Sequence, residues 1–451
     1  MLAGCADGSM PERGSAGAPG SRAPLSVAID VGRVTPGESG GLAHVIVGLV
    51  HALGQLADGA ERFVVVVGSE EQENWLGRFI GPNQKLVMRP DRGADGKDTL
   101  VQRTARRLSP AVRYFSRRSR GASPRWPEVP ISDGFHESLG CDVVHFPHQD
   151  FVVCALPAVY NPHDLQHRHY PQFFTPLQIA RRETLYEAGH RLSRVVVVAS
   201  QWIKDDVIRQ YGVSGDKVQV VPWGAPTLAY PPPAPADLAR VSRKYGLARP
   251  FALYPARTWP HKNHLRLLQA MAHLRDARGK SVTVVFTGAP YEPFWPRIEQ
   301  AVRDLRLAGQ VKFLGFVPDE DLRPLYRLSE FLLMPTLFES DSFPVFEAWL
   351  DALPVACSSV TALPDQVGDA ALLFDPTDEV AMADAIERLV SSDELREHLR
   401  RRGDRRVRDF DWARTAKAYR AVYRRASGRQ LDDEDRWLLG WDWMREPERA
   451  G

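Results

Sequence analysis

The chain has 451 residues, of which 44% are apolar and 25% are charged. These proportions are those of soluble globular proteins, and they exclude a disordered chain, a collagen-like repeat and a small disulfide scaffold. A total of 58 Lys and Arg residues balances 56 Asp and Glu residues, so the net charge of +2 gives no reason to expect a nucleic-acid partner. At roughly 100–200 residues per domain, the length predicts two or three domains.

The cysteines and the hydropathy of the chain indicate in which cellular compartment the protein works. The four cysteines show neither a C-x-x-C motif nor a paired spacing, which is typical of reduced thiols in a cytosolic protein. No apolar run approaches the ~20 residues that a membrane helix needs. We therefore expect a cytoplasmic protein, for which membrane association would be peripheral, on the inner face of the plasma membrane.

The first half of the chain alternates strands and helices. Residues 1–24 are rich in Gly, Ala, Ser and Pro, and we expect a disordered N-terminal segment there. A β-branched run at 26–31 then leads into a glycine-rich loop that ends at Gly40 and Gly41, and an i, i+3, i+4, i+7 apolar stripe over 42–53 predicts a helix. Continuous Val and Ile runs indicate further strands buried on both faces of a parallel sheet. These strands are predicted at 63–67, 142–146, 157–160, 194–199 and 218–221.

A Pro-rich spacer at 229–236 interrupts this pattern, because proline continues neither a helix nor a central strand. The alternation then restarts, with strands near 251–255, 282–287, 311–314, 330–334, 354–357 and 371–374 and helices near 263–277, 294–306, 344–352 and 378–390. Two such halves predict two doubly wound, Rossmann-like α/β domains, residues 25–228 and 237–427, that face each other across a substrate cleft. We expect the Trp-rich and acidic tail, 428–451, to pack back on the first domain.

The segment 101–126 departs from this alternation, with eight arginines, three aromatic residues and no acid. Such a basic and aromatic stretch suits an anionic membrane surface or an anionic acceptor. A solvated loop is an equally good interpretation, and the composition leaves both open.

The strongest constellation follows one strand of the second half, where two carboxylates, Glu339 and Glu347, lie eight residues apart. Pro344 fits the first position of a helix, with Ser342 or Ser340 as its cap. The free amides and positive dipole end of a helix start suit an anionic phosphate, and a carboxylate one turn further could accept hydrogen bonds from a sugar diol. The spacing alone is equally compatible with acids that only cap the helix.

A second, cationic cluster follows the first strand of that half. Arg257 and Lys262 lie five residues apart in a loop, and a fixed guanidinium fork with a mobile ammonium suits a diphosphate. Such a pair is common in loops and is weak evidence by itself.

The histidines at 145, 148, 163, 167 and 169 have spacings that could ligate a metal. No Cys or carboxylate set completes such a site, so we predict no metal site. We expect His145 and His148 to line the cleft instead.

Taken together, these motifs resemble those of retaining glycosyltransferases with the GT-B fold. Glu339 to Glu347 resembles their E-x7-E signature, and Arg257 to Lys262 resembles their donor loop. Residues 359–376 are similar to the segment that follows in glycosyltransferase family 4, and residues 161–165 are similar to a loop of its mannosyltransferase-like members. The resemblance spans roughly residues 26–425 in the same order.

The resemblance implies a role for each matching residue. Arg257 and Lys262 would hold the donor diphosphate and stabilise its growing charge. Glu339 would contact the transferred sugar, Glu347 would bind the ribose, and His163 would lie across the cleft near the sugar and the acceptor. The other positions implied in donor binding lie in the glycine loop, the base-contacting loop and the helix start: Gly40, Gly41, Val317, Ser342, Phe343 and Pro344.

The resemblance further implies a hexosyltransferase of polysaccharide biosynthesis that moves a sugar to a glycan or lipid-linked glycan acceptor, with GDP-mannose favoured over UDP-sugars as donor. It implies no cofactor and no metal, since protein cations and helix dipoles would replace a divalent ion. One departure is that Asp341 and Ser342 replace the Phe and Gly of the usual E-x-F-G-L-P. It motivates one alternative, a non-catalytic GT-B-like subunit that binds nucleotide-sugar or glycan. A UDP-sugar-dependent transferase is a separate alternative, because the resemblance leaves the donor open.

Overall fold

The computed structural model describes residues 24–34, 40–90, 127–226 and 232–442. Within these ranges the strands form two separate sheets of seven and six strands, in which all neighbouring strands are parallel. The strands are β1 (Ser26–Asp30), β2 (Arg62–Val67), β3 (Gln84–Met88), β4 (Val143–Phe146), β5 (Ala158–Tyr160), β6 (Val195–Val198), β7 (Val218–Val220), β8 (Ala252–Pro255), β9 (Val284–Thr287), β10 (Val311–Phe313), β11 (Phe331–Met334), β12 (Val355–Ser358) and β13 (Leu372–Phe374).

The strand order defines two Rossmann-like sheets. The first runs β3-β2-β1-β4-β5-β6-β7 and the second β10-β9-β8-β11-β12-β13, so both contain the 3-2-1-4-5-6 order of a doubly wound sheet. The winding reverses between β1 and β4 and again between β8 and β11, and ligands of such sheets bind at the carboxyl ends of the strands at a reversal. The predicted fold of two Rossmann-like domains is confirmed.

Helices connect these strands and cover the sheets. The α-helices of the described residues are α1 (Gly41–Gly54), α2 (Glu70–Leu76), α3 (Phe135–Ser138), α4 (Gln166–His169), α5 (Pro176–Leu192), α6 (Gln201–Tyr211), α7 (Pro235–Tyr245), α8 (His264–Arg278), α9 (Trp295–Asp304), α10 (Asp319–Leu328), α11 (Phe343–Leu350), α12 (Leu363–Val367), α13 (Glu379–Ser391), α14 (Asp393–Arg406), α15 (Trp412–Ala426) and α16 (Asp433–Gly440). None of these helices combines the length and the apolar character that crossing a bilayer requires.

The burial of the strands explains both the successful predictions and one omission. The four valines of β6 are at most 1% exposed, as expected for a strand covered on both faces. Strand β3, at the edge of the first sheet, is not predicted by the apolar pattern of the sequence. Its residues, among them Gln84 and Lys85, are intermediate or exposed, so it lacks the apolar run by which the other strands were found.

Helix α15 belongs to the first sheet in space although it follows the second in sequence. Trp412 at its start donates from Nε1 to the Ala225 carbonyl (2.9 Å), and a Cβ atom added at Gly48 of α1 would lie 2.1 Å from the Trp412 ring. Helix α16 packs on α15, and the Gln219 side chain of β7 donates to the Leu439 carbonyl (2.8 Å). The chain therefore crosses to the first domain before residue 427, where the sequence analysis put the end of the second domain.

The two domains also meet beside the cleft. The Phe343 ring of α11 lies 5.9 Å from the Trp223 ring, in a stacked arrangement, and 5.8 Å from the His44 ring of α1. The Tyr170 hydroxyl donates to the Leu337 carbonyl (3.1 Å). The start of α11 and the loop before it therefore contact the first domain directly.

Several predictions lie wholly or partly outside the described residues. The disordered N-terminal segment, 1–24, is outside except for its last residue, and the arginine-rich segment, 101–126, is outside entirely. Of the linker, 229–236, residues 232–236 are described, and helix α7 already begins at Pro235. Of the tail, residues 443–451 are outside.

Candidate functional site

The winding reversal of the second sheet brings the two predicted motifs together. Lys262 lies in the loop after β8 and Glu339 in the loop after β11, and these strands are neighbours. The Lys262 ammonium donates to the Glu339 carboxylate, and the two side chains are 20% and 12% exposed. A partly buried ion pair therefore occupies the position where a ligand of this sheet is expected.

Hydrogen bonds made by Tyr254 and Asn263 hold the loop after β8 in place. The Tyr254 hydroxyl donates to the Lys262 carbonyl (2.5 Å). Asn263, in left-handed backbone conformation (φ 62°), donates from Nδ2 to the carbonyls of Pro335 (2.9 Å) and Pro376 (2.8 Å). Asn263 is a site residue that the sequence motifs do not predict, although Asn is one of the few residues that adopt a positive φ readily.

Arg257 is an exposed cation at the same sheet end. Its guanidinium lies 5.6 Å from the Trp259 ring centre and forms no ion pair with a carboxylate among the described residues. The Trp259 ring stacks in turn on Tyr291 at 4.2 Å. Arg257 is therefore free to meet an anionic ligand.

The start of helix α11 differs in detail from the prediction. The helix begins at Phe343, which makes Pro344 its second residue and not its first, and the Ser342 side chain does not cap it. The Ser342 N–H already donates to Asp341 Oδ1 and to Gln366 Oε1, both at 2.9 Å, and Pro344 has no N–H. This helix start offers fewer free amides to a phosphate than the sequence suggested.

Asp341, the extra acid of this loop, has an unusual charge state. Burial, with a further contribution from Glu339, raises the pKa of its carboxyl group to about 8. Its Oδ1 atom accepts from the Ser342 N–H, while Oδ2 has no hydrogen-bond partner among the described residues. At neutral pH Asp341 is therefore mainly protonated and adds little negative charge beside the cations.

Glu347 lies one turn into α11 and is 8% exposed. The Tyr326 hydroxyl of α10 donates to its Oε2 atom (2.5 Å). Glu347 projects from helix α11 and Glu339 from the loop before it. The two carboxylates therefore do not both cap the start of this helix.

Val317 and its neighbour Phe316 lie after β10 and have opposite environments. The Val317 side chain is 6% exposed and packs in the core, whereas Phe316 is 66% exposed. The motif match predicts Val317 alone, because it does not show which of two adjacent apolar side chains faces solvent. Between the ends of β8, β9 and β10 lies a pocket of about 220 Å³, lined in part by Thr258, Gly288 and Trp295.

The glycine loop contributes from the first domain. Gly40 has a φ of 54°, which favours glycine, and precedes α1. A Cβ atom at Gly41 would lie 3.3 Å from Phe343 Cδ2. Gly41 therefore allows the close approach of α1 to Phe343 of the second domain.

His163 lies beside Trp223, with ring centres 5.3 Å apart, and has a positive φ of 66°. Its Nε2 atom is 3.0 Å from the Pro147 carbonyl, which can only accept, so Nε2 carries the proton and Nδ1 is the acceptor. Burial lowers its pKa to about 4, and the ring is neutral at pH 7. His163 can therefore accept a hydrogen bond from a sugar hydroxyl.

The prediction that His145 lines the cleft is wrong. It is fully buried, with Nε2 2.6 Å from Asn161 Oδ1 and Nδ1 2.9 Å from the Tyr423 hydroxyl of α15. Burial lowers its pKa to about 3. His145 therefore fastens α15 to the first sheet, an interaction that strand-end position alone did not reveal. Within the described ranges, no group of three or more His, Cys, Asp or Glu side chains is arranged to hold a metal ion.

Comparison with known proteins identifies the family. The model of glycosyl transferases group 1 matches residues 239–406, and that of Glycosyltransferase Family 4 matches residues 40–228. The O-antigen chain mannosyltransferase B of Escherichia coli is 30% identical over 273 residues, which cover 59% of this chain and 70% of that protein. The MMP alpha-(1->4)-mannosyltransferase of Mycolicibacterium hassiacum is 29% identical over 231 residues, but these cover only 52% of it.

Solved structures show the same fold. Anabaena HepE in complex with UDP and glucose has a TM-score of 0.63 at 17% identity and aligns over 88% of this chain and 99% of its own. WaaG, a glycosyltransferase involved in lipopolysaccharide biosynthesis, has a TM-score of 0.60 at 14% identity, with the same coverage of 88% and 99%. The chain belongs to the group 1, family 4-like glycosyltransferases of GT-B fold, and it is a hexosyltransferase.

Proposed function

We propose that this glycosyltransferase moves mannose from GDP-mannose to a glycan or lipid-linked glycan, with retention of configuration and without a metal. The observation that carries the proposal is the Lys262–Glu339 pair at the winding reversal, with Arg257 in the same loop as Lys262. These cations suit a donor diphosphate, and Glu339 suits the hydroxyls of the sugar attached to it.

In this mechanism, Arg257 and Lys262 bind the diphosphate and stabilise the charge that develops as it leaves. The bond from sugar C1 to the phosphate oxygen breaks, and the acceptor oxygen bonds to C1 on the same face. The acceptor hydroxyl proton passes to the leaving phosphate, so the products are the nucleoside diphosphate and the glycoside. Neutral His163 accepts a hydrogen bond from a hydroxyl of the transferred sugar through Nδ1.

The remaining residues would hold the nucleoside. Glu347 accepts hydrogen bonds from the ribose diol, and the pocket between the ends of β8, β9 and β10, at the start of the loop that leads to Val317, takes the base. The glycine loop at Gly40 and Gly41 approaches the β-phosphate with its backbone amides. The two mannosyltransferase relatives support mannose as the sugar, whereas the UDP in HepE keeps UDP-sugars as an alternative.

A donor panel tests this proposal. The protein is incubated with GDP-mannose, UDP-glucose, UDP-galactose and UDP-N-acetylglucosamine, with and without mannose-containing acceptor glycans, and nucleotide release is measured. We expect release from GDP-mannose only, unchanged by EDTA, with an α-linked product by NMR. Release from a UDP-sugar alone would contradict the donor assignment, and binding without release under every acceptor would favour a non-catalytic subunit.

We also propose that the enzyme works in the cytoplasm, at the inner face of the plasma membrane. The support is the charge of the segment 101–126, which is rich in Arg and aromatic residues. A lipid-linked acceptor would be presented at such a surface.

A further inference from the structure

A single hydroxyl bonds to both the backbone N–H and the backbone carbonyl of Glu339. The Glu339 N–H donates to Thr361 Oγ1 (3.0 Å), and the Thr361 hydroxyl donates to the Glu339 carbonyl (2.6 Å). One side chain therefore bonds to both backbone polar groups of the residue that carries the carboxylate, and the Ala362 N–H adds a longer bond to the same carbonyl (3.4 Å).

The other end of the same loop is held in the same way. The Ser342 N–H donates to Gln366 Oε1 (2.9 Å), and Gln366 Nε2 donates to the Ser342 carbonyl (3.0 Å). Gln366 lies on α12 and is 1% exposed, so water does not compete for these bonds. Thr361 and Gln366 thus hold the loop 339–342 at its first and last residues.

Thr361 occupies its position at a conformational cost. Its φ of 51° lies in the left-handed region, which is unfavourable for a β-branched residue. A glycine would relieve this strain but would supply no hydroxyl. Strain of this kind persists where the surrounding contacts determine the conformation, as the two bonds to Glu339 do here.

The segment that carries both residues is itself anchored. Arg406 of α14 donates from Nε to the Gln366 carbonyl (3.0 Å) and from an Nη atom to the Asp365 carbonyl (2.9 Å). The Arg406 guanidinium is paired with Asp409 (2.9 Å). Helix α12 can therefore act as a fixed template for the loop.

We propose that Thr361 and Gln366 are positioning residues of the transfer reaction, which fix the Glu339 and Ser342 peptides so that the Glu339 carboxylate meets Lys262 and the donor sugar in one geometry. This inference rests on the proposed function. A displacement of about 1 Å in such a group lowers the rate by about 100-fold, so two residues that do not touch the reacting atoms can control turnover.

The test uses variants of the full chain. Gln366→Met and Thr361→Val remove the hydrogen-bonding groups and keep a similar side-chain volume. Thr361→Ser keeps the hydroxyl. For Gln366→Met and Thr361→Val we expect kcat/KM to fall about 10- to 100-fold, while the dissociation constant of GDP changes less than about threefold. Thr361→Ser should stay within about threefold of the wild type. If the donor panel selects a UDP-sugar, the dissociation constant of UDP is measured in place of that of GDP.

A matched control is Gln84→Met. Gln84 makes the same two kinds of bond, accepting from the Gly81 N–H (2.9 Å) and donating to the Val50 carbonyl (2.7 Å), at the amino end of β3 away from the site. Gln84→Met and Gln366→Met should lower the unfolding midpoint similarly, but only Gln366→Met should lower kcat/KM. Equal activity of the two variants would overturn the inference.

A second readout does not depend on turnover. Hydrogen exchange of a peptide covering 338–343 should become about tenfold faster in Gln366→Met and Thr361→Val than in Gln84→Met. If the wild type transfers no sugar but this exchange is faster, the proposed function fails while the placement of the loop by α12 stands. Unchanged exchange would overturn the inference whether or not the wild type is active.

Discussion

Lys262 and Glu339 are separated by 77 residues in the chain and joined by an ion pair in the fold. Such a pair costs desolvation and contributes little to stability by itself. Its position at the reversal of the second sheet instead keeps a cation and a carboxylate together where a charged ligand would enter. At the residue scale, the pair is better explained by ligand binding than by folding.

Removing either member of the pair should reduce turnover strongly. Lys262→Ala and Glu339→Ala are each expected to lower kcat/KM by about 100-fold or more, because Lys262 stabilises the charge of the leaving diphosphate and Glu339 holds the transferred sugar in the transition state. Steady-state nucleotide release measures this. Lys280→Ala is the control, since Lys280 pairs with Glu387 (2.8 Å) at the surface and should leave the rate within about twofold. Near-wild-type rates in both site variants would disprove the site assignment.

Asp341 should make the protein less stable as the pH rises. Its pKa is raised to about 8, so between about pH 4 and pH 8 the folded state holds a proton that the unfolded state has lost. The free energy of unfolding therefore falls with rising pH in this window, and the contribution is fully present only below it. Asp341→Asn should flatten that fall, because the amide oxygen still accepts from the Ser342 N–H and cannot ionise.

Urea unfolding at pH 5 and pH 8 measures the difference. Asp433→Asn, at a side chain that is 99% exposed, should keep the pH dependence of the wild type. A wild-type pH dependence in Asp341→Asn would show that Asp341 does not ionise in this window.

At the scale of elements, helix α15 shows how packing overrides propensity. Gly48 lies inside α1, where Ala would be favoured by about 1 kcal/mol in an exposed helix. The Trp412 ring of α15, however, occupies the space of a Cβ atom at this position, at 2.1 Å. Gly48 is therefore required by the contact between helices and not by the conformation of its own backbone.

The matching prediction compares two glycines. Gly48→Ala should lower the free energy of unfolding by about 1–3 kcal/mol, because it overpacks the contact with Trp412. Gly440→Ala, at the end of α16 where nothing lies within 4 Å of an added Cβ, should be neutral or slightly stabilising. Urea denaturation measures both, and a stabilised Gly48→Ala would contradict the packing of α15 on α1.

The sequence predicted the elements better than their contacts. Apolar runs identified twelve of the thirteen strands, and edge strand β3 was missed because Gln84 and Lys85 interrupt its apolar character. Periodicity also showed no sign that α15 would pack on the first sheet, since an apolar face does not name its partner. Likewise, the motifs gave Glu339 and Lys262, but Thr361 and Gln366 act through backbone hydrogen bonds, which leave no pattern in one sequence.

At the scale of the whole molecule, two domains meet at a charged cleft. The net charge of +2 conceals a concentration of arginine in 101–126. If that segment binds an anionic bilayer, replacing Arg117, Arg118 and Arg120 by Gln should weaken flotation with phosphatidylglycerol vesicles, and more so at low salt. Replacement of Arg400, Arg401 and Arg408 by Gln, at partly exposed positions of the second domain, is the control and should leave flotation unchanged. Equal flotation of both variants would identify 101–126 as a solvated loop.

The return of α15 to the first sheet has a consequence for synthesis on the ribosome. Residues 24–226 emerge first, but Tyr423, which bonds to buried His145, and Trp412, which fills the space between Gly48 and Gly224, emerge about 200 residues later. Part of the apolar surface of the first domain therefore stays exposed to solvent until the second domain has been synthesised. We expect residues 24–226 expressed alone to bind hydrophobic dyes, and a separately supplied peptide of residues 409–442 to suppress that binding.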